Sequence, residues 1–243
     1  MTANRSGRFW RITFAAALVF AAGLALGAWQ LSRAAQKNAI HAAMQQRKSL
    51  PPLDGIALAA VGNPAEVTWR PVRLRGRWVA EQTVFLDNRQ MRGKAGFDVL
   101  TPLRIEGSEA AVVVQRGWVQ RNFIDRGKLP AVETPAGPVE VQGLIAPPPP
   151  KLYAFAGPES GAIRQNLDLG EFRAGTGLAL LTGVSVQQAG PASEGLLRDW
   201  TQPGSGVETH YGYAFQWFAL SALIAILYVW FQFVAPRRRL PHA

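Results

Sequence analysis

Near its C-terminal end the chain reads Thr209-His210-Tyr211-Gly212-Tyr213-Ala214-Phe215-Gln216-Trp217-Phe218, then continues as an uncharged, apolar run to Ala235. Imidazole is a natural ligand for iron, and aromatic rings beside it can line a flat apolar cofactor. If a helix starts near His210, then Tyr213, Ala214, Trp217, Ser221 and Tyr228 follow on one face at the i, i+3, i+4, i+7 rhythm. A plainer reading fits the same residues: His210 as an interfacial residue, and the aromatics as the belt that flanks membrane helices. Spacing alone does not choose between the two.

The elements that must position this histidine are long and apolar. The 243 residues are 48% hydrophobic. Ile12 to Ser32 and Tyr211 to Ala235 each carry no charge and are each long enough to cross about 30 Å of hydrocarbon as a helix. Trp10 and Trp29 bracket the first run and would lie about 28 Å apart along a helix, suiting two interfacial anchors. Arg5, Arg8 and Arg11 precede the first run, Arg237, Arg238 and Arg239 follow the second, and all 16 acidic residues lie between them. The positive-inside rule then puts both termini in the cytoplasm and the middle outside, although Arg33 and Lys37 blunt the asymmetry of the first span. A cleavable signal peptide is the rival for the N-terminus, with Ala25 and Gly27 as the small residues. The apolar run is longer than a usual signal core, and Trp29-Gln30 beyond it has the character of an anchor flank.

Composition excludes several chemistries. The net charge of +10 reflects topology as much as any anionic partner, and nucleic acid is a poor partner for a domain facing the periplasm. The chain has no cysteine, which removes disulfides, thiolate metal sites, thiol redox chemistry and covalent haem attachment. With only Met1, Met44 and Met91 as soft ligands, copper(I) transfer is also disfavoured. His41, His210 and His242 are the three histidines, and His242 is expected on the opposite side of the membrane from His210, so no multi-histidine metal site can be built.

Seven segments follow along the chain: a basic cytoplasmic arm (1–11), the first transmembrane helix (12–31), a stalk and connector (32–66), a periplasmic β domain (67–190), a linker (191–210), the second transmembrane helix (211–235) and a basic tail (236–243). Gly23 and Gly27 form a G-x-x-x-G surface suited to close helix packing. Residues 30–49 continue the first helix as a polar stalk that carries His41, and Pro51-Pro52 ends it. From Val67 the signals are β. Val72, Leu74, Gly76 and Trp78 alternate with Arg73, Arg75 and Arg77. Further strands are expected at Thr83–Asn88, Phe97–Ile105, Ala111–Val119, Val139–Ala146 and Leu178–Gln188, with turns at 92–96 and 106–108. Pro147–Pro150 reads as extended polyproline, residues 170–177 as a short helix, and 189–207 as a flexible lead into the second span. The expected fold is a membrane protein whose two transmembrane helices flank an antiparallel β-rich domain, a sandwich or open barrel. The arginine ladder could grip an anionic group or lipid headgroups, but alternation predicts it anyway as the solvated face of a strand.

Several segments together resemble one family. These are Leu26-Gly27-Ala28-Trp29-Gln30 with Arg33, Arg70-Pro71-Val72 with Gly76, and Asp87-Asn88-Arg89 followed by Gly96-Phe97-Asp98-Val99-Leu100-Thr101-Pro102-Leu103. Val112-Val113-Val114-Gln115-Arg116-Gly117-Trp118-Val119 and the run from His210 to Phe218 complete the set. In this order they resemble the surfeit locus protein 1 family of cytochrome c oxidase assembly factors. Gln115 stands where that family often has Asn, Gln120 stands where it often has Pro, and residues 147–208 match only loosely. The resemblance implies a bacterial inner-membrane protein that acts on the core subunit of the oxidase. It also implies transient binding of haem a, received from the haem a synthesis machinery, with His210 as the metal ligand.

Three functions then compete. In the first, His210 ligates haem a, Tyr213 and Trp217 contact the porphyrin, Trp29 flanks it, and Arg33 pairs with a propionate. Arg33 in simple contact with lipid headgroups is the alternative for that residue. In the second, the chain is a scaffold that stabilises the oxidase core subunit, and His210 is a helix-start hydrogen bonder. The third is a membrane-tethered enzyme. The chain has no G-x-S-x-G elbow, and surface carboxylates such as Asp168 and Glu171 are weak grounds for acid–base work, so the chain is expected not to be an enzyme.

Overall fold

The computed structural model describes residues 3–124, 129–153, 161–200 and 206–237. Met1, Arg238, Arg239 and His242, and part of the 189–207 lead, lie outside the described residues. The chain divides into two compact units, residues 1–43 with 203–243, and residues 44–202.

The first unit is a pair of helices. The helix α1 runs Ala3–Lys48 and α5 runs Val207–Val229, with a π-helical last turn at Trp230–Val234. Both are long and apolar enough to cross a membrane. Their packed stripes are built from small residues: Gly23, Gly27 and Ala34 are buried on α1, Ala214 and Ser221 on α5. These positions recur at steps of four and seven, the seam of a coiled-coil-like pair. The glycines are required for the approach. A Cβ on Gly27 would stand 2.6 Å from the Phe218 ring, and one on Gly23 would overlap the Ser221 hydroxyl. Polar groups cross the seam. Thr13 Oγ1 and Tyr228 Oη lie 2.8 Å apart, Ser221 Oγ donates to the Phe20 and Trp217 carbonyls, and Asn38 Nδ2 donates to Tyr211 Oη at 3.2 Å. Contacts on α5 fall from Tyr228 through Ser221 to Phe218 as those on α1 rise from Thr13 through Phe20 to Gly27, so the helices run antiparallel.

The second unit is a small barrel. Its strands are β1 (Leu53–Asp54), β2 (Pro71–Trp78), β3 (Val84–Met91), β4 (Lys94–Ile105), β5 (Ala110–Gln120), β6 (Val139–Ala146), β7 (Ile163–Arg164), β8 (Ala179–Leu180) and β9 (Ser185–Gln188). Around the ring β2 pairs with β6, β6 with β9, β9 with β5, β5 with β4, and β4 with β2 again. Closure falls at Gly76, which pairs with Val139 on one side and Ile105 on the other. A Cβ there would run into the Arg104 carbonyl, so only glycine admits both neighbours.

Four sequence expectations are corrected by the structure. The sheet is mixed, not antiparallel: β1–β2, β3–β7, β5–β8 and β5–β9 are parallel pairs. Directions cannot alternate around a ring with an odd number of strands, so one parallel neighbour is forced; it is β5–β9, and the chain from 121 to 184, β6 included, is the long connection such a pair needs. The ring is also closed rather than an open barrel or sandwich, which removes most of the exposed edge. The expected strand Leu178–Gln188 is two short strands, and the turn expected over 92–96 narrows to Arg92 and Gly93. Both have positive φ, 51° and 74°, as a two-residue hairpin of the I′ type requires.

The interior follows from period-two patterning. Val72 and Leu74, Leu103 and Ile105, Val112 and Val114, Val141 and Ile145, and Val186 come from all five ring strands into one core. The short helices α2 (Gly55–Ala59) and α3 (Pro64–Val67) add Leu58 and Val67 to that core, so the region read as connector belongs partly to the barrel. The alternate residues Arg73, Arg75 and Arg77 are exposed, with Arg73 and Arg75 sharing Glu140. Outside the β4–β5 face, α4 (Leu169–Thr176) covers a second core with Leu169 and Phe172.

Candidate functional site

The helix α5 starts at Val207, with Gly206 (φ 54°) at its N-cap, so His210 lies inside the first turn rather than ahead of the helix. That shifts what surrounds it. Ala214 and Ser221 are buried in the helix pair and Tyr228 bonds across it, whereas Tyr213 is exposed and Trp217 half-buried. The single face expected from spacing is therefore the seam of the pair plus one flank, and His210, Tyr213 and Trp217 share the flank.

His210 is half-buried, and its Nδ1 lies 2.7 Å from Oε1 of Gln30 on α1. Among the described residues Nε2 takes no hydrogen bond. Arg33 follows Gln30 by three residues and Lys37 by seven, which places both cations on the flank of α1 that carries Gln30. Lys37 Nζ comes within 3.5 Å of where a Gly206 Cβ would be, at the start of α5. Trp29 is not brought to His210. It lies one residue from Gln30, a rotation of about 100° on a helix, and is 52% exposed beneath the Arg33 guanidinium, 5.7 Å from its ring centroid. Arg33 also donates to Gln36 Oε1 at 3.0 Å. His41 is half-buried farther along α1.

Gln30 and Lys37 escaped assignment from the sequence. Gln30 had a visible signal, an amide beside Trp29 at the end of an apolar run, but its partner lies 180 residues away. A cleft of about 760 Å³ lies at the other end of the helix pair, walled by Phe9, Ile12, Ile224, Leu227 and Phe231, with Arg8 at its edge.

What can the His210 flank do? Among the described residues no group of three or more His, Cys, Asp or Glu side chains converges on a metal position. A metal held here would have one protein ligand and bring the others with it, as a haem iron does. An imidazole nitrogen without a hydrogen bond among the described residues, an aromatic flank and the cations Arg33 and Lys37 three and seven residues beyond Gln30 fit an apolar, iron-bearing dianion.

The polar clusters of the barrel are of another kind. Arg116 on β5 is fully buried, donating to Thr134 Oγ1 (2.6 Å), the Glu133 carbonyl and Glu194 Oε2 (2.9 Å), with its guanidinium 4.7 Å from the Trp78 ring centroid. Gln115 donates to Ser185 Oγ at 2.8 Å, tying β5 to β9. The Asp168–Glu171 pair is occupied by capping: Asp168 Oδ1 accepts the backbone N–H of Gly170 and Glu171. Lys151 donates to Asp168 Oδ2 at 2.8 Å and, with those N–H groups, holds this carboxyl below its ordinary range.

Among the described residues the chain thus combines two long apolar helices, a closed mixed β barrel and a histidine bonded through Nδ1 to the facing helix. The chain belongs to the SURF1 family, whose model matches residues 17–222. A SURF1-like protein of Rickettsia bellii (strain RML369-C) is 26% identical over 210 residues, covering 84% of this chain and 83% of that one. One from Drosophila melanogaster is 24% identical over 237 residues, covering 90% and 76%, and one from Rickettsia felis is 30% identical over 115 residues, 46% of each. The family is known in general terms as cytochrome oxidase assembly factors, and it is not a known class of enzyme.

Proposed function

We propose that the chain spans the bacterial inner membrane twice and binds haem a through His210 Nε2 for insertion into the core subunit of cytochrome c oxidase. The observation that carries this reading is the state of His210, with one ring nitrogen engaged by Gln30 and the other without a hydrogen bond. Haem a supplies redox-active iron and an extended porphyrin to the oxidase; this chain's residues only hold it. Tyr213 and Trp217 offer ring faces beside the ligand, and Arg33 and Lys37 offer cations for carboxylates. A single exchangeable protein ligand suits delivery, because the client's own histidines can replace it. The haem a synthesis machinery is the donor in this reading, and membrane lipid surrounds the helices.

Membrane placement is supported by the outward residues of the helix pair. Phe14 is 72% and Phe215 74% exposed, an arrangement that water would penalise and hydrocarbon would not. The charge distribution supports cytoplasmic termini and a periplasmic barrel by the positive-inside rule. Fusions at Ala243 and at Pro149 test this: a periplasm-active reporter should work only at Pro149, and activity only at Ala243 would reverse the orientation.

A second reading has one observation in its favour. The Gln30–His210 bond pins α5 to α1 whether or not a cofactor is bound, as a non-haem scaffold for the core subunit would need. Purification of the full chain from cells that make haem a separates the two. A Soret band lost in His210→Ala is expected for the haem reading, and a colourless wild type supports the scaffold.

A further inference from the structure

We infer that Gln30 is a positioning residue that fixes the tautomer of His210 and thereby selects Nε2 as the ligating nitrogen. The inference rests on the haem-binding reading and deepens it.

The argument begins with hydrogen-bond inventory. A side-chain amide oxygen carries no proton, and it stands 2.7 Å from His210 Nδ1. Two acceptors do not face each other at that distance, so the shared proton sits on Nδ1 and Nδ1 donates to Gln30 Oε1. An imidazole with a single N–H on Nδ1 keeps its lone pair on Nε2. Without a fixed acceptor the ring exchanges between tautomers and offers that lone pair only part of the time.

The placement of Gln30 shows why it can impose this choice. It lies three residues after Gly27 and four before Ala34, so it stands half-buried at the edge of the packed seam of α1, where that seam meets the flank and beside residues chosen for smallness. A long amide in such a seam must find a polar partner, and His210 supplies it from the facing helix. The pair thus orients the ring through one nitrogen and leaves the other, an arrangement common to histidines that bind metals. A mere pin between helices would need only the hydrogen bond and would be indifferent to which partner donates.

The test uses the full chain in detergent with [15N]histidine labelling at pH about 8.5, above the usual imidazole range. Only three histidines contribute, so His210→Ala identifies the His210 signals by subtraction. The wild type should show His210 protonated on Nδ1. Gln30→Leu should lose that preference, and Gln30→Glu, which keeps an acceptor, should retain it. On titration with haem a, followed at the Soret band, Gln30→Leu should bind about 10- to 100-fold more weakly, the usual effect of removing a ligand's hydrogen-bond partner, and Gln30→Glu should recover much of that loss. A wild-type His210 protonated on Nε2 overturns the inference, as does a Gln30→Leu protein with unchanged tautomer and affinity. Haem binding that survives His210→Ala instead removes the ligand assignment itself, and the assigned role of Gln30 with it; the two failures are therefore read from different variants.

Discussion

Arg116 in the barrel and His210 in the helix pair are both polar groups withdrawn from water, each with one nitrogen that makes no hydrogen bond among the described residues, and they differ in whether that nitrogen can be reached. Arg116 is fully buried and donates through both terminal nitrogens to Thr134, Glu133 and Glu194, with Arg198 sharing the same carboxylate. Its strand neighbour Gln115 is likewise matched to Ser185. His210 has one nitrogen matched and one left over on a half-buried flank, whereas the Arg116 Nε that lacks a partner is sealed inside the barrel. A cluster that uses its donors on the protein itself gives stability, because breaking it strands a buried charge. A group that keeps half of its bonding capacity contributes less to folding but remains able to take a ligand. The barrel is built on the first plan, the flank of the helix pair on the second.

The sharpest way to break this comparison is to unbalance the Arg116 cluster. Arg116→Leu strands Thr134 and the Glu133 carbonyl and takes one of two arginines from Glu194, so it should destabilise the barrel by about 3–5 kcal/mol, the usual range for halving a buried pair. Thermal unfolding of the full chain in detergent measures it. A loss below about 1 kcal/mol would mean that the cluster does not carry the fold. Next in size is Gly27→Leu. The new side chain would begin 2.6 Å from the Phe218 ring, and overpacking of this kind costs about 1–3 kcal/mol. Gly7→Leu, where nothing lies within 4 Å, is the control. The chain is free of cysteine, so a Thr13→Cys, Tyr228→Cys background can report helix pairing by cross-linking yield. An unchanged yield in Gly27→Leu would remove the packing role of the small-residue stripe.

His210→Ala stands lower on the stability scale, because it removes one hydrogen bond from a half-buried site and opens no core, about 1 kcal/mol. Its functional effect should nonetheless be the largest of all the variants: loss of bound haem a, and less haem a in the oxidase of the same cells. His41→Ala should match the wild type. If His210→Ala reduces cross-linking as strongly as Gly27→Leu and leaves haem content unchanged, the flank is a structural seam like any other and the contrast with Arg116 disappears.

Much of this architecture is legible in the sequence, in proportion to how local its cause is. The apolar runs, the inward set Val72, Leu74 and Val141, and the short helix before Gly177 follow from periodicity and capping within a few residues. Ring closure does not, since the neighbours of Gly76 come from residues 105 and 139, and alternation says nothing of strand direction. The site divides the same way. His210 and its aromatics declare themselves through residue type, whereas the role of Gln30 depends on a partner 180 residues distant and on which helix faces meet. Arg116 was visible only as part of a motif. Its meaning comes from loop residues 133, 134 and 194, which no periodic pattern connects to β5.

The smallest expected effect sharpens the comparison from the barrel side, where a titratable group is withdrawn from water without being left open for a ligand. Asp98 on β4 lies 3.9 Å from Arg89 Nε on β3, and Arg89 also donates to the Pro150 and Gln165 carbonyls. Burial pushes the Asp98 carboxyl up to about 6, with the Arg89 charge opposing the rise. The folded value lies above the unfolded one of about 3.9, so the folded chain holds a proton that the unfolded chain has released. Stability from this group is fully present below about pH 4 and is lost as pH rises through about 6. Between pH 7.5 and 5 the wild type should therefore gain about 1 kcal/mol relative to Asp98→Asn, which cannot take up the proton. Subtracting the two unfolding curves at each pH cancels the other acids, including Asp87 beside Arg121. A difference that stays flat across this window would show that Asp98 is ionised and fully compensated in the fold. The barrel would then hold a compensated buried ion pair at this position, and the contrast with His210 would be stronger.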